Sequence, residues 1–231
     1  MPALPSARFH TTVAHLRQLP REGLPEVAFI GRSNAGKSSA INVLCRRRRL
    51  AFSSSTPGRT QALNYYAIGR ETEPPEGFLV DMPGYGYAQA PGEIRKAWDA
   101  LAGNYLRDRP PLRAAVLMVD IRRLLTDLDR RMLAWLPPAL PLLILLTKCD
   151  KFGTAQQNAA RRAVLTELTE QHGRPQAQVV LFSAENRKGV EEARALIEQW
   201  FADAATDAAA ADTPDTPTDL PPQEAPPDEP R

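Results

Sequence analysis

The chain reads as an α/β protein: a three-layer fold with a mostly parallel six-stranded sheet flanked by helices. Three observations predict it. Between Glu22 and Ala202, apolar runs alternate with segments of helical period, the pattern of repeated strand-helix-strand units. One apolar run leads directly into a glycine-bearing turn and a helix start. The length, 231 residues, suits one large domain with enough chain to bury a core.

The elements follow in order. Residues 1–21 form an N-terminal extension, "MPALPSARFHTTVAHLRQLP" and Arg21, without the long apolar core that a signal peptide needs. "EVAFI" from Glu26 is the first strand. "ALNYYAI" alternates in polarity and precedes the Gly/Pro loop "GRETEPPEG", so it pairs as a hairpin with "EGFLVD" at the sheet edge. "RAAVLMVD", "LPLLILLTKCD" and "AQVVLFSA" supply three more strands, each followed by a polar or glycine-bearing turn. A last helix from Val190 places Val190, Ala193, Leu196, Ile197, Trp200 and Phe201 on one face. The longest apolar run, "LPLLILL", is far too short to cross a bilayer, which predicts a cytoplasmic protein with no membrane partner. Cys45 and Cys149 lie near no second Cys or His at metal-ligand spacing, and both read as reduced buried thiols.

Charge divides the chain. From Asp203 to Arg231 there are eight acidic residues and one Arg, a net of −7 against +2 for the whole, leaving about +9 for the first 202 residues. The same stretch carries seven Pro and almost no bulky apolar side chain, so residues 203–231 read as a disordered acidic tail behind a domain over 22–202.

The most specific motif is "GRSNAGKS", Gly31 to Ser38, which fits G-x-x-x-x-G-K-[ST] and follows the strand "EVAFI". Gly31 and Gly36 let the backbone of Arg32, Ser33, Asn34 and Ala35 wrap a phosphate with its N–H groups. Lys37 adds a full positive charge there, and the Ser38 hydroxyl suits Mg²⁺. "TKCD", comprising Thr147, Lys148, Cys149 and Asp150, ends the most apolar strand, where open parallel sheets bind ligands. The Asp150 carboxylate can accept from the ring N–H and exocyclic amine of guanine, whereas adenine offers no matching donor pair. Lys148 can lay its alkyl stem along the base. "FSAEN", with Phe182, Ser183 and Ala184, follows the next strand and can press backbone against the base. GTP and GDP are the ligands these motifs select.

Taken together, "GRSNAGKSSAIN", "TPGRTQALNYY", "DMPGYGYA", "TKCD" and "FSAENRKG", in that order, resemble the EngB (YihA/YsxC) family of ribosome-biogenesis GTPases, within the translation-factor class. The resemblance spans roughly residues 9–201. It departs from the family pattern at Ala40, at Cys149 in place of a common Ala, and at Arg123 where His is frequent; none of these touches a nucleotide ligand.

The resemblance implies a slow GTP-hydrolysing switch in assembly of the large ribosomal subunit, and hence in growth, septation and cell division. Asp81 would hold Mg²⁺ through water, with Met82, Pro83 and Gly84 forming the turn that senses the γ-phosphate. Both Thr56 and Thr60 can supply the second hydroxyl to Mg²⁺ and spacing does not decide; the family pattern selects Thr60, in a switch loop with Gly58, Arg59, Gln61 and Ala62. Asn34 would help to hold K⁺ beside the phosphates, as in several related GTPases. Arg46, Arg47, Arg48 and Arg49, in "CRRRRL", end the helix that begins in the phosphate loop, where cations suit its dipole. Four consecutive Arg exceed that need, and with the basic body they point to ribosomal RNA in a precursor of the large subunit. Off the ribosome the protein is expected to be a monomer.

Tyr85 follows Gly84 at the place where Ras-type proteins carry the Gln that orients water. No confident catalytic side chain is therefore present in cis; Lys37 and Thr60 assist by positioning phosphate and water. The competing reading is a P-loop phosphotransferase acting on a small-molecule acceptor, but no segment has the organisation of an acceptor lid.

Overall fold

In the computed structural model the described residues are 3–52, 62–86 and 92–211, with the side chains of 92–99 and 209–211 left aside. The strands are β1 (Arg8–Val13), β2 (Glu26–Gly31), β3 (Leu63–Ile68), β4 (Gly77–Asp81), β5 (Leu112–Asp120), β6 (Leu142–Thr147) and β7 (Gln178–Leu181). The α-helices are α1 (Lys37–Leu44), α2 (Gly92–Asp108), α3 (Asp127–Trp135), α4 (Thr154–Glu170) and α5 (Val190–Ala211).

The strands form one sheet in the order β1-β3-β4-β2-β5-β6-β7. From β4 across β2, β5 and β6 to β7 every pairing is parallel, and β3 joins β4 as the expected antiparallel hairpin. β2 is buried along its whole length, and its side chains alternate between two cores. Ala28 and Ile30 join Tyr105, Met132, Val164 and Leu168 beneath α2, α3 and α4. Val27 and Phe29 join Ile41, Leu44, Ile197 and Phe201 beneath α1 and α5. This is the three-layer arrangement, with the strand order turning back on itself at β2.

Two sequence expectations are corrected. The sheet has seven strands, not six, because β1 pairs antiparallel with β3 and takes the edge expected for the hairpin. The segment "RFHTTV" hides poorly as a strand in the sequence: only Val13 is fully buried, while Phe9 remains 58% exposed. Its attachment is partly polar, through Arg8 Nη1 donating to the Gly69 carbonyl at 2.8 Å and the Leu4 N–H donating to Glu198 at 2.8 Å. The second correction concerns residues 203–211, read as disordered, which continue α5 as "DAATDAAAA". Alanine loses no side-chain entropy in a helix, so this composition extends one that is already packed through Phe201 and Ala204. Residues 212–231 lie outside the described part.

At the amino ends of the strands, away from the ligand end, Glu26 is fully buried. It accepts hydrogen bonds from Tyr65 Oη at 3.2 Å, Tyr105 Oη at 2.8 Å and the Arg109 guanidinium, whose Nη2 approaches to 2.5 Å. Arg109 also donates to the Pro20 carbonyl at 2.7 Å, tying the chain before β2 to the end of α2. Removing one partner of such a pair strands a buried charge. Arg109→Ala is expected to lower unfolding stability by about 3–5 kcal/mol, read from the urea midpoint, and Glu26→Leu added to it should recover part of that loss.

Candidate functional site

The phosphate-loop candidates lie at the carboxyl end of β2, the point where the strand order reverses and open parallel sheets leave a crevice. Asn34 (φ 63°) and Gly36 (φ 95°) occupy the left-handed region, which lets the loop curl before α1 begins at Lys37. Gly36 stands as the N-cap residue with no side chain over the helix N-terminus, so the first N–H groups of α1 face the crevice.

The "DMPG" turn is laid directly on this loop. The Tyr85 N–H donates to the Gly31 carbonyl at 3.3 Å, and the Ser33 N–H donates to the Tyr85 carbonyl at 3.0 Å. The fit at Gly84 is tight, since a Cβ there would stand 3.0 Å from the Ser33 nitrogen and the loop would have to give to admit it. Lys37 Nζ and Asp81 Oδ1 are in direct contact as an ion pair. Burial pushes the Asp81 carboxyl above its ordinary range, and Lys37 offsets part of that rise. A strand-end carboxylate, the Ser38 hydroxyl and no clustered His or Cys among the described residues make a hard-oxygen donor set, which fits Mg²⁺ rather than a softer metal.

"TKCD" is bound to the phosphate loop rather than merely near it. Thr147 Oγ1 donates to the Ala35 carbonyl at 2.7 Å, and Lys148 Nζ donates to the Asn34 carbonyl at 2.9 Å. Lys148 itself sits at φ 60°. Asp150 Oδ1 accepts from Ser183 Oγ at 2.6 Å, and Lys151 lies 2.9 Å from the other carboxylate oxygen. Those two donors hold the Asp150 carboxyl below its ordinary range, so it stays ionised as an acceptor. The Cys149 N–H donates to the Phe182 carbonyl at 3.2 Å, which brings Phe182, Ser183 and Ala184 beside "TKCD". Cys45 and Cys149 are both buried thiols, as expected; desolvation pushes Cys45 up to about 12.

Of the remaining candidates, Met82 and Pro83 are buried in the turn and Ala62 is buried ahead of β3. Thr56, Gly58, Arg59, Thr60 and Gln61 lie outside the described residues. Arg46, Arg47, Arg48 and Arg49 are all exposed just beyond α1.

Two functional positions escaped the sequence reading. Asp120, at the end of β5, accepts from Lys148 Nζ at 2.9 Å and from both forks of Arg122 at 2.9 and 2.6 Å. Burial raises its carboxyl, but these bonds outweigh burial and hold it well below the carboxylate range. The signal was an Asp closing a parallel strand beside "TKCD". Asp129 is buried and accepts the Tyr85 hydroxyl at 2.5 Å while also capping α3, through Thr126 N–H at 2.8 Å and Thr126 Oγ1 at 2.5 Å. The "TDLD" capping box was its signal.

Tyr85 is thus 5% exposed, sits in the core beneath α3, and its hydroxyl is committed to Asp129. Its phenol is pushed up first by burial and then by the Asp129 charge.

A model described as a 50S ribosome-binding GTPase matches residues 26–148. A probable GTP-binding protein EngB of Paraburkholderia xenovorans is 51% identical over 202 residues, covering 86% of this chain and 93% of that relative. A solved structure of a probable GTP-binding protein EngB superimposes with a TM-score of 0.59 at 18% identity, over 77% of this chain and all but 1% of its own. Era, solved in complex with MgGDPNP and nucleotides of 16S ribosomal RNA, gives 0.58 at 19% identity, over 77% of this chain and 56% of its own.

Tyr85→Phe removes only the hydroxyl and leaves Asp129 with its two Thr126 donors. It is expected to cost about 1–2 kcal/mol of stability while leaving the GTP hydrolysis rate within about twofold of wild type. Loss of turnover in a folded Tyr85→Phe protein would make the hydroxyl catalytic.

Proposed function

Because the chain belongs to the EngB family of GTP-binding proteins and carries a ribosome-binding GTPase domain, we propose that it is a slow switch in assembly of the large ribosomal subunit. Growth and division would depend on it through that role. The observation that carries the reading is the joining of the base motif to the phosphate loop by Thr147 and Lys148, beside the Lys37–Asp81 pair at the γ-phosphate end.

In this reading the backbone from Gly31 to Gly36 wraps the β-phosphate. Lys37 exchanges Asp81 for the β- and γ-phosphates when GTP enters, and Gly84 turns its N–H to the γ-phosphate. Asp150, steadied by Ser183, accepts from guanine; Lys148, anchored by Asp120, covers one face of the base, and Ala184 backs it. Mg²⁺, when bound, would neutralise phosphate charge, held by Ser38 and Thr60 with Asp81 acting through water. Gly58, Arg59, Thr60, Gln61 and Ala62 would complete the set of nucleotide-binding residues.

With Tyr85 fastened to Asp129, no side chain of the sensing turn positions water, and intrinsic hydrolysis is slow. The missing stabilisation comes from a cation, a rearranged switch loop or the ribosome. Asn34 is exposed at the rim of the loop and is our candidate for holding K⁺. Exchanging K⁺ for Na⁺ in a turnover assay should slow hydrolysis severalfold; equal rates would remove K⁺ from the scheme.

The exposed Arg46, Arg47, Arg48 and Arg49 would meet ribosomal RNA. No described helix is long and apolar enough to cross a membrane, and we place the protein in the cytoplasm as a monomer between rounds of binding. Depletion should accumulate immature large subunits, and added large subunits should raise turnover of GTP to GDP and phosphate. Normal particle profiles together with unstimulated turnover would overturn the role.

A further inference from the structure

Beside the guanine motif, a cleft of roughly 530 Å³ opens between the second half of α1, the arginine turn after it and the turn between β7 and α5. Arg46, Arg47 and Arg48 line one wall and Arg187 the other, against the single carboxylate of Glu185. All five side chains are exposed.

The helix end does not explain these arginines. Arg194, reaching from α5, already donates to the Leu44 carbonyl at 2.8 Å and the Val43 carbonyl at 3.2 Å, which satisfies the end of α1 and its dipole. The arginine turn is also held open. Asn42 accepts from the Leu50 and Ala51 N–H groups at 2.8 Å each and donates to the Ala51 carbonyl at 2.8 Å. The Arg47 N–H donates to the Asn42 carbonyl at 2.8 Å. Arg46 (φ 51°) and Arg187 (φ 62°) both occupy the left-handed region that non-glycine residues seldom enter. Arg46 is paired with the exposed Glu191 at 3.5 Å, but Arg47 and Arg48 still face Arg187 as like charges across the cleft, at an electrostatic cost that an anion would relieve.

Resting on the ribosomal reading above, we propose that this cleft receives the phosphodiester backbone of RNA and that its occupancy changes the affinity for guanine nucleotide. Guanidinium forks grip phosphate oxygens in pairs, and walls on two elements suit a strand passing through rather than an isolated surface ion pair. The coupling route is short. Glu185, in the cleft wall, donates its N–H to Ser183 Oγ at 3.2 Å, and the same Ser183 Oγ donates to the guanine acceptor Asp150 at 2.6 Å. A phosphate drawn between Arg187 and the arginine turn repels Glu185 and shifts the turn that orients Asp150. The effect is reciprocal, so nucleotide state must alter RNA affinity by the same factor.

The test uses the full chain, transcribed large-subunit ribosomal RNA and fluorescent GDP, with large ribosomal subunits in a parallel arm. Arg47→Ala/Arg48→Ala, with an unchanged thermal midpoint, should weaken RNA binding about tenfold or more and flatten its salt dependence by roughly one unit of slope per arginine. Wild-type GDP affinity should differ about fivefold or more between RNA-bound and RNA-free protein, and the double variant should lose that difference. Unchanged RNA binding in the variant overturns the cleft. Equal GDP affinity with and without RNA overturns the coupling. Equal competition by polyglutamate overturns recognition of the phosphodiester. Failure of wild type to bind large subunits in the parallel arm removes the ribosomal reading, and this inference with it.

Discussion

Two backbone hydrogen bonds, Tyr85 N–H to the Gly31 carbonyl and Ser33 N–H to the Tyr85 carbonyl, carry the β2–β4 pairing past the strand ends and fuse the phosphate loop to the sensing turn. The close approach that goes with them leaves little room for a side chain at Gly84. It also sets Lys37 against Asp81, because α1 begins and β4 ends within one side chain's reach of each other. The proposed phosphate loop and the proposed sensing turn are therefore two sides of a single ladder.

The same register decides where the aromatic ring goes. Tyr85 follows the turn, and its ring enters the core beneath α3, where Asp129 receives the hydroxyl. A buried phenol held by a buried carboxylate gives the turn a rigid anchor and removes the position from water chemistry. Asp129 meanwhile caps α3, so the turn and the helix N-terminus share one acceptor. Slow intrinsic turnover, in our reading, is built into the packing of the turn rather than into an absent group alone.

Much of this was legible in the sequence because it rests on local pattern. Buried parallel strands announce themselves as continuous apolar runs, and the glycine and lysine of a phosphate loop must stand at fixed spacing. What escaped depends on distant partners. β1 looks too polar to be a strand, since it is an edge half wetted by solvent and secured through Arg8 and Leu4. Asp120 ends a strand beside a basic stretch, and its partner Lys148 lies 28 residues further on. Residues 203–211 have the charge and small side chains of a tail, yet alanine continues a helix already anchored at Phe201.

The arginines show why a net charge cannot be read as a binding surface without the fold. Arg109 is consumed by Glu26 inside the domain. Arg174 is buried and donates to backbone carbonyls, to Leu136 at 2.6 Å and Pro137 at 3.0 Å, and desolvation lowers its affinity for its proton. Arg130 pairs with Glu167, and Arg122 with Asp120. Arg194 closes the end of α1. Each of these is engaged by a partner within the domain. Arg47, Arg48 and Arg49 stand exposed on a turn whose shape is fixed by Asn42 rather than by their own charges. That exposed run lies beside the turn between β7 and α5, and the fold rather than the charge count puts it there.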